Sequence, residues 1–285
     1  MKNMAMGRFR PFNTAMHRLD ARVKIIGLIV LMVGVFLDYG NVPLNFIVYG
    51  LIFIALTVMM IIGKVSFKGV LRALKAMWLM MIFIFIFNLL IPTKTGDYFQ
   101  IGSWDFKIYY SSIYNTLYVI FRLFLMLMMT SILTATTSPM DMTFALDSLL
   151  SPLKLIKIPV SSFSMILALA LRFIPTLTED TERLMRAQAS RGVDFKEGKL
   201  KEKIKSITSL IIPLFSSSLT RSGDLAIAME CRGYDPRKKR TRFRKIKWRI
   251  VDTIMLLILL ILFVGFILLA IYGKDLVSAF LGLFK

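Results

Sequence analysis

Arg237-Lys238-Lys239-Arg240-Thr241-Arg242-Phe243-Arg244-Lys245-Ile246-Lys247-Trp248-Arg249 leads without a break into Ile250 to Tyr272, a stretch whose one charge is Asp252. Nine of those first thirteen residues are Lys or Arg. A helix of about 20 mostly apolar residues crosses a bilayer core. A basic cluster beside such a span marks the cytoplasmic side. The passage therefore predicts a spanning helix that enters the membrane from the cytoplasm.

Four more segments have the same character: Val23 to Leu37, Val42 to Gly63, Ala76 to Pro92, and Ile113 to Ala135. The first is short, but nothing after it resembles a signal-peptidase site, so it is read as an uncleaved span. The charges order the five. Residues 1–24 carry +5, residues 62–76 carry +4 and residues 136–249 carry +11, which together make the whole net charge of +20. Five alternating spans put these three stretches on one face, and the positive-inside rule makes it cytoplasmic. The N-terminus is expected inside and the C-terminus outside. The expected organisation is 1–135 (N-terminal segment and four spans), 136–249 (a coupling domain at the cytoplasmic face) and 250–285 (the last span and an extracytoplasmic C-terminus).

Composition agrees and excludes much. The 285 residues are 56% hydrophobic, with 23 Phe, 19 Met and a mean hydropathy of +0.69. Soluble domains run at about 45–50% apolar. One Cys forbids an intrachain disulfide, and one Cys with one His cannot complete a zinc shell. His17 lies in the basic N-terminal segment, away from any catalytic set. No Gly-rich phosphate loop of the Walker type is present, so the chain has no P-loop nucleotide site. No Asp or Glu lies near the middle of a span, where a proton- or sodium-coupled carrier would need one. The one central charge is Arg122. It reads either as a packing Arg that bonds a carbonyl or snorkels, or as a contact that senses a neighbouring subunit. The excess positive charge is topological and lipid-directed; nothing accompanies it that would recognise nucleic acid. An intramembrane enzyme or a secondary carrier would need titratable groups that the spans lack. If the protein drives uphill movement, the energy comes from a partner.

Residues 136–249 are too long for a loop and too apolar for a linker. Thr137-Ser138-Pro139 is a helix-start signal, with Ser138 as cap and Pro139 in the first turn. Two longer helical units follow, from near Val160 to Gly192 and from near Lys203 to Gly233. Pro175 and Pro213 should kink or break them. Each has an apolar first half and a polar, amphipathic second half. The halves end alike: Leu184-Met185-Arg186-Ala187-Gln188-Ala189-Ser190-Arg191-Gly192, and Leu225-Ala226-Ile227-Ala228-Met229-Glu230-Cys231-Arg232-Gly233. Aligned on the arginine, both read Leu-x2-Ala-x3-Arg-Gly, 41 residues apart. Leu, Ala and Arg at that spacing share a helical face, and the Gly is a natural left-handed stop. One such end would be uninformative; two suggest a pair of docking tips. Each tip would offer an Arg fork to an acidic groove, with a small residue one turn back to permit close approach.

These residues resemble the transmembrane (T) component of energy-coupling factor transporters, the CbiQ/EcfT family. The resemblance rests on Met16-His17-Arg18-Leu19-Asp20-Ala21-Arg22-Val23-Lys24, on Thr134 to Pro139, and on Leu171-Arg172-Phe173-Ile174-Pro175. Its most specific parts are Ala189-Ser190-Arg191-Gly192-Val193-Asp194 and Ala228-Met229-Glu230-Cys231-Arg232-Gly233-Tyr234. Ser190 and Cys231 stand where the family often has Ala. The resemblance implies an all-α membrane protein with about five transmembrane helices and a cytoplasmic coupling domain of about three amphipathic helices. It implies two ABC-type ATPase partners docked at Ala187, Ala189, Ser190, Arg191 and Gly192 and at Ala228, Cys231, Arg232 and Gly233. It implies a small substrate-binding S component against a surface that includes Leu171, Phe173, Pro175, Leu210, Pro213 and Phe215. ATP and Mg would belong to the ATPases, with no cofactor held by this chain. The cargo would be vitamins or related micronutrients. A dedicated cobalt, nickel or biotin system, or a scaffold that does not transport, are the alternatives.

Overall fold

The computed structural model describes residues 12–40, 42–90, 98–100, 107–152, 160–195, 199–235 and 248–283. The basic run Arg237 to Lys247 and the expected end of the third span at Pro92 lie outside them. The helices are α1 Ala15–Arg18, α2 Ala21–Phe36, α3 Val42–Ile62, α4 Phe67–Ala76, α5 Trp78–Leu90, α6 Tyr110–Thr136, α7 Pro139–Leu149, α8 Val160–Ser190, α9 Leu200–Cys231 and α10 Ile250–Leu283. Among the described residues the protein is all-α apart from one small antiparallel hairpin, β1 Tyr98–Gln100 with β2 Lys107–Tyr109, in which Tyr98 pairs with Tyr109 in register.

Two compact units result, one of residues 8–145 with 246–285, the other centred on residues 146–245. The first is the apolar bundle. Its core brings together Leu31, Val35, Tyr49, Leu56, Leu125 and Met128, from α2, α3 and α6. Its outer faces are as apolar as its core: Leu51, Ile61, Phe83, Ile261 and Ile271 are all exposed. Large exposed apolar surface of this kind is what lipid requires.

Helix α2 docks on α10 in a parallel seven-residue register. Leu259 lies against Gly27 and Phe266 against Gly34, and seven residues earlier the Asp20 N–H donates to Asp252 Oδ1 at 2.9 Å. Two glycines a heptad apart let the helices approach closely, and the large side chains of α10 fill the space. Asp252, 1% exposed, joins two helix starts, because its other oxygen accepts the Arg249 N–H at 2.9 Å. Asp20 caps α2 by accepting the Arg22 N–H. Both carboxylates thus sit at the positive ends of helix dipoles.

Helices α3 and α6 also run parallel, since Tyr49 stacks on Tyr118 and Phe53 packs on Phe124. Lys24, near the start of α2, donates to the Thr136 carbonyl at the end of α6. So α6 ends, and α10 begins, on the side where α2 begins.

The spans depart from expectation in two details. The first is short, as expected: it has 16 residues, about 24 Å of helix, less than a hydrocarbon core. The third, expected over Ala76 to Pro92, is α5, and α4, which carries Lys68, Arg72 and Lys75, runs into it across a 54° bend at Met77. The second departure is that α8 is long and apolar enough by composition to cross a membrane, whereas α9 is not. Pro175 and Pro213 do not break their helices; both lie inside continuous α8 and α9.

Candidate functional site

In the second unit α8 and α9 pack against each other. Two bonds fix their register. The Ser206 hydroxyl donates to the Asp194 carbonyl at 3.0 Å, just past the end of α8. Arg221 Nη2 donates to Asp180 Oδ2 at 2.8 Å. Moving forward along α9 moves backward along α8, so the pair is antiparallel.

The two helix ends share one hydrogen-bond pattern. In α8 the Val193 N–H donates to the Gln188 carbonyl, the Gly192 N–H to Ala189, and the Arg191 N–H to Gln188. In α9 the Tyr234 N–H donates to Met229, the Gly233 N–H to Glu230, and the Arg232 N–H to Met229. This is the Schellman closure, repeated at every position after 41 residues. Gly192 and Gly233 take φ of +82° and +74°, the left-handed region that glycine enters without strain. Each arginine is the last residue before the reversal. Arg191 and Arg232 are exposed, as are Ala187, Ala189, Ser190, Ala228 and Cys231. Leu184 and Leu225 are half-buried. The face expected to carry Leu, Ala and Arg together is thus divided: the leucines turn inward and the small residues and arginines outward. An antiparallel pair sends its two C-terminal tips in opposite directions. Eleven residues separate Asp180 from Arg191 and Arg221 from Arg232, so the arms are about 16 Å each and the tips about 30 Å apart.

The first halves of α8 and α9 are only partly covered. Among the residues expected to form a partner surface, Pro175 and Phe215 are exposed, while Leu171, Phe173, Leu210 and Pro213 are half-buried. Ile207, Ile211 and Ile212, inside the expected apolar half of α9, are more than half exposed, and so are Ile204 and Leu219 outside it, which the sequence reading missed. Their spacing along α9 was the available signal.

Arg122 belongs to the bundle. Its guanidinium donates to the Tyr118 hydroxyl at 2.6 Å and to the Tyr49 hydroxyl at 3.3 Å, and lies over the Phe36 ring. Tyr49 in turn donates to the Val35 carbonyl. Phenols and ring faces satisfy the cation inside the chain. A cavity of about 300 Å³ opens beside it, lined by Asp38, Asn45, Tyr114, Asn115 and Tyr118. No group of residues suited to holding a metal ion occurs among the described residues.

A family model described as cobalt transport protein (CbiQ) matches residues 12–243. The energy-coupling factor transporter transmembrane protein EcfT of Lactococcus lactis subsp. cremoris is 38% identical over 268 residues, 94% of this chain and 98% of that protein. The proteins of the same name from Bacillus subtilis and Listeria innocua are 36% and 38% identical, each over 92% of this chain and 96% of theirs. The chain belongs to the T-component family of energy-coupling factor transporters. It is therefore a membrane component of a transporter, a multi-pass protein rather than an enzyme, and the paired tips lie within the region that the family model covers.

Proposed function

We propose that this T component couples two cytoplasmic ATPases to a substrate-binding S component in the membrane. The observation that carries the reading is the pair of matching arginine caps at opposite ends of one antiparallel helix pair. Two like tips about 30 Å apart suit two like grooves on a dimeric partner. Each tip offers a guanidinium that binds a carboxylate through two parallel hydrogen bonds. The Schellman closure holds the arginine at the helix end, and Ala187 and Ala228 leave room for the groove wall. ATP-driven closure of the ATPases then moves the tips. The exposed apolar halves of α8 and α9 pass that motion to the S component. ATP and Mg stay with the ATPases, and the N-terminus and the coupling domain (136–249) are cytoplasmic. The cargo is a vitamin or related micronutrient, chosen by the S component.

The test is copurification and transport with the assembled complex. Arg191→Ala and Arg232→Ala together should lose ATPase copurification and uptake while the chain still inserts in the membrane. Normal uptake by that double variant rejects the coupling reading. A single constant membrane partner in the purified complex would instead mark a dedicated system.

A further inference from the structure

The 41-residue repeat that relates the two tips also relates the two partners of one ion pair. Asp180 and Arg221 stand 11 residues before Arg191 and Arg232, so they are the same position in the two copies. They meet each other at 2.8 Å, with side chains 23% and 36% exposed. A residue that touches its own equivalent lies on the local two-fold axis of an isologous contact. An axis perpendicular to two helices makes them antiparallel and predicts the neighbouring contacts. Fourteen residues separate Asp180 from Asp194 and fifteen separate Ser206 from Arg221, the near-equal spacing of an antiparallel pair packed about this contact. The surroundings offer little other restraint: α9 contains no buried residue. Arg221 Nη1 is buried without an acceptor, so loss of Asp180 leaves a half-buried cation unpaired.

We infer that the Asp180–Arg221 pair is the pivot of the coupling device: it pins α8 and α9 at their crossing, so the two tips keep a set separation and move together. The mechanical statement stands on the geometry; its consequence for transport rests on the coupling reading above. Because the two positions are equivalent, the reversed pair Asp180→Arg with Arg221→Asp should fit the same axis.

Cys231 is the chain's single cysteine and is exposed. Its counterpart in the repeat is Ser190, so Ser190→Cys allows a spin label on each tip. Pulsed electron spin distance measurement on the full chain in lipid nanodiscs then reads the tip-to-tip distribution. Asp180→Asn or Arg221→Gln should broaden it, and the reversed pair should narrow it again. In the unlabelled, assembled transporter, substrate moved per ATP hydrolysed should fall about fivefold in each single variant, near the upper end for a partly exposed pair. It should recover in the reversed pair. Unchanged widths in the single variants, or a reversed pair that stays broad, overturn the pivot. The widths need no ATPase, so they are independent of the coupling reading. ATPase copurification that survives Arg191→Glu with Arg232→Glu overturns that reading and leaves the pivot geometry standing.

Discussion

The left-handed glycines at the two tips permit a graded test. Gly192 and Gly233 have no atom within 4 Å of where a Cβ would sit. A substitution there meets no neighbour, so the backbone alone decides its cost. An L-residue in this conformation costs about 1–2 kcal/mol. Loss of glycine's freedom in the unfolded chain offsets about 0.4–1 kcal/mol of that. The net for Gly→Ala is about 1 kcal/mol, which weakens a closed cap about fivefold against a frayed one. The chain supplies its own calibration. Helix α3 ends in the same closure, with Val65 bonded back to Met60, but Lys64 takes the left-handed position at φ 50°. A side chain in this geometry is thus disfavoured rather than forbidden. The order Gly, Asn, Ala, Val should hold at both tips, because Asn tolerates the region and β-branching does not. The assay is the affinity of the reconstituted T component for its ATPases, with uptake measured alongside. Gly223→Ala is the control: it sits inside α9 with open space around it and should add about 1 kcal/mol of helix stability. If Val at 192 and 233 binds as Gly does, the caps do not present the arginines. If Gly223→Ala is as damaging as Gly192→Ala, glycine matters here for flexibility and the reasoning fails.

Two further outcomes concern the bundle. A Cβ on Gly34 would lie 2.3 Å from Phe266 Cε2, so Gly34→Ala should lower stability by about 1–3 kcal/mol through overpacking. Adding Phe266→Leu should recover part of it, as read by thermal unfolding in detergent; an unshifted midpoint for Gly34→Ala would contradict the close α2–α10 register. Asp252→Ala leaves the Asp20 and Arg249 N–H groups without their acceptor, and the buried Asp20 N–H costs about 1–3 kcal/mol when left unsatisfied. Asp252→Asn keeps one oxygen and should lose distinctly less in the same experiment, whereas equal losses would mean that charge rather than hydrogen bonding joins the two helix starts.

Much of this was legible in the residues. Apolar length located α3, α6 and α10, Ser138 opens α7 by accepting the Asp141 N–H, and the Leu-x2-Ala-x3-Arg-Gly repeat marked two helix ends that close alike. What stayed hidden has a common cause. A helix that is apolar all round carries no face that names its partner, so the register of α2 on α10 could not be read from periodicity. Its trace was present as glycines at 27 and 34 opposite large residues at 259 and 266, but spacing shows a match only once the two helices are known to run parallel. The bend at Met77 has no Pro or Gly to announce it. The prolines misled in the opposite sense. Pro175 and Pro213 each remove a helix hydrogen bond, yet both helices continue, since one lost bond is a small part of helices of 31 and 32 residues.

The two units differ in the way their proposed roles require. The bundle is fastened by deeply buried groups: Tyr39, Tyr49, Leu125 and Met128 are wholly inaccessible, and Asp252 nearly so. Opening such a core exposes much apolar and polar surface at once, so it behaves as a frame. The α8–α9 pair has almost no buried residue of its own and is held by one ion pair, a few hydrogen bonds and partial apolar cover. Elements with little burial have small opening free energies, and those that move in coupled machines come from that class. A tightly packed pair would resist displacement by a partner; an unpinned pair would let one tip move without the other. One ion pair at the crossing, with arms of equal length on either side and little burial along them, lies between these extremes.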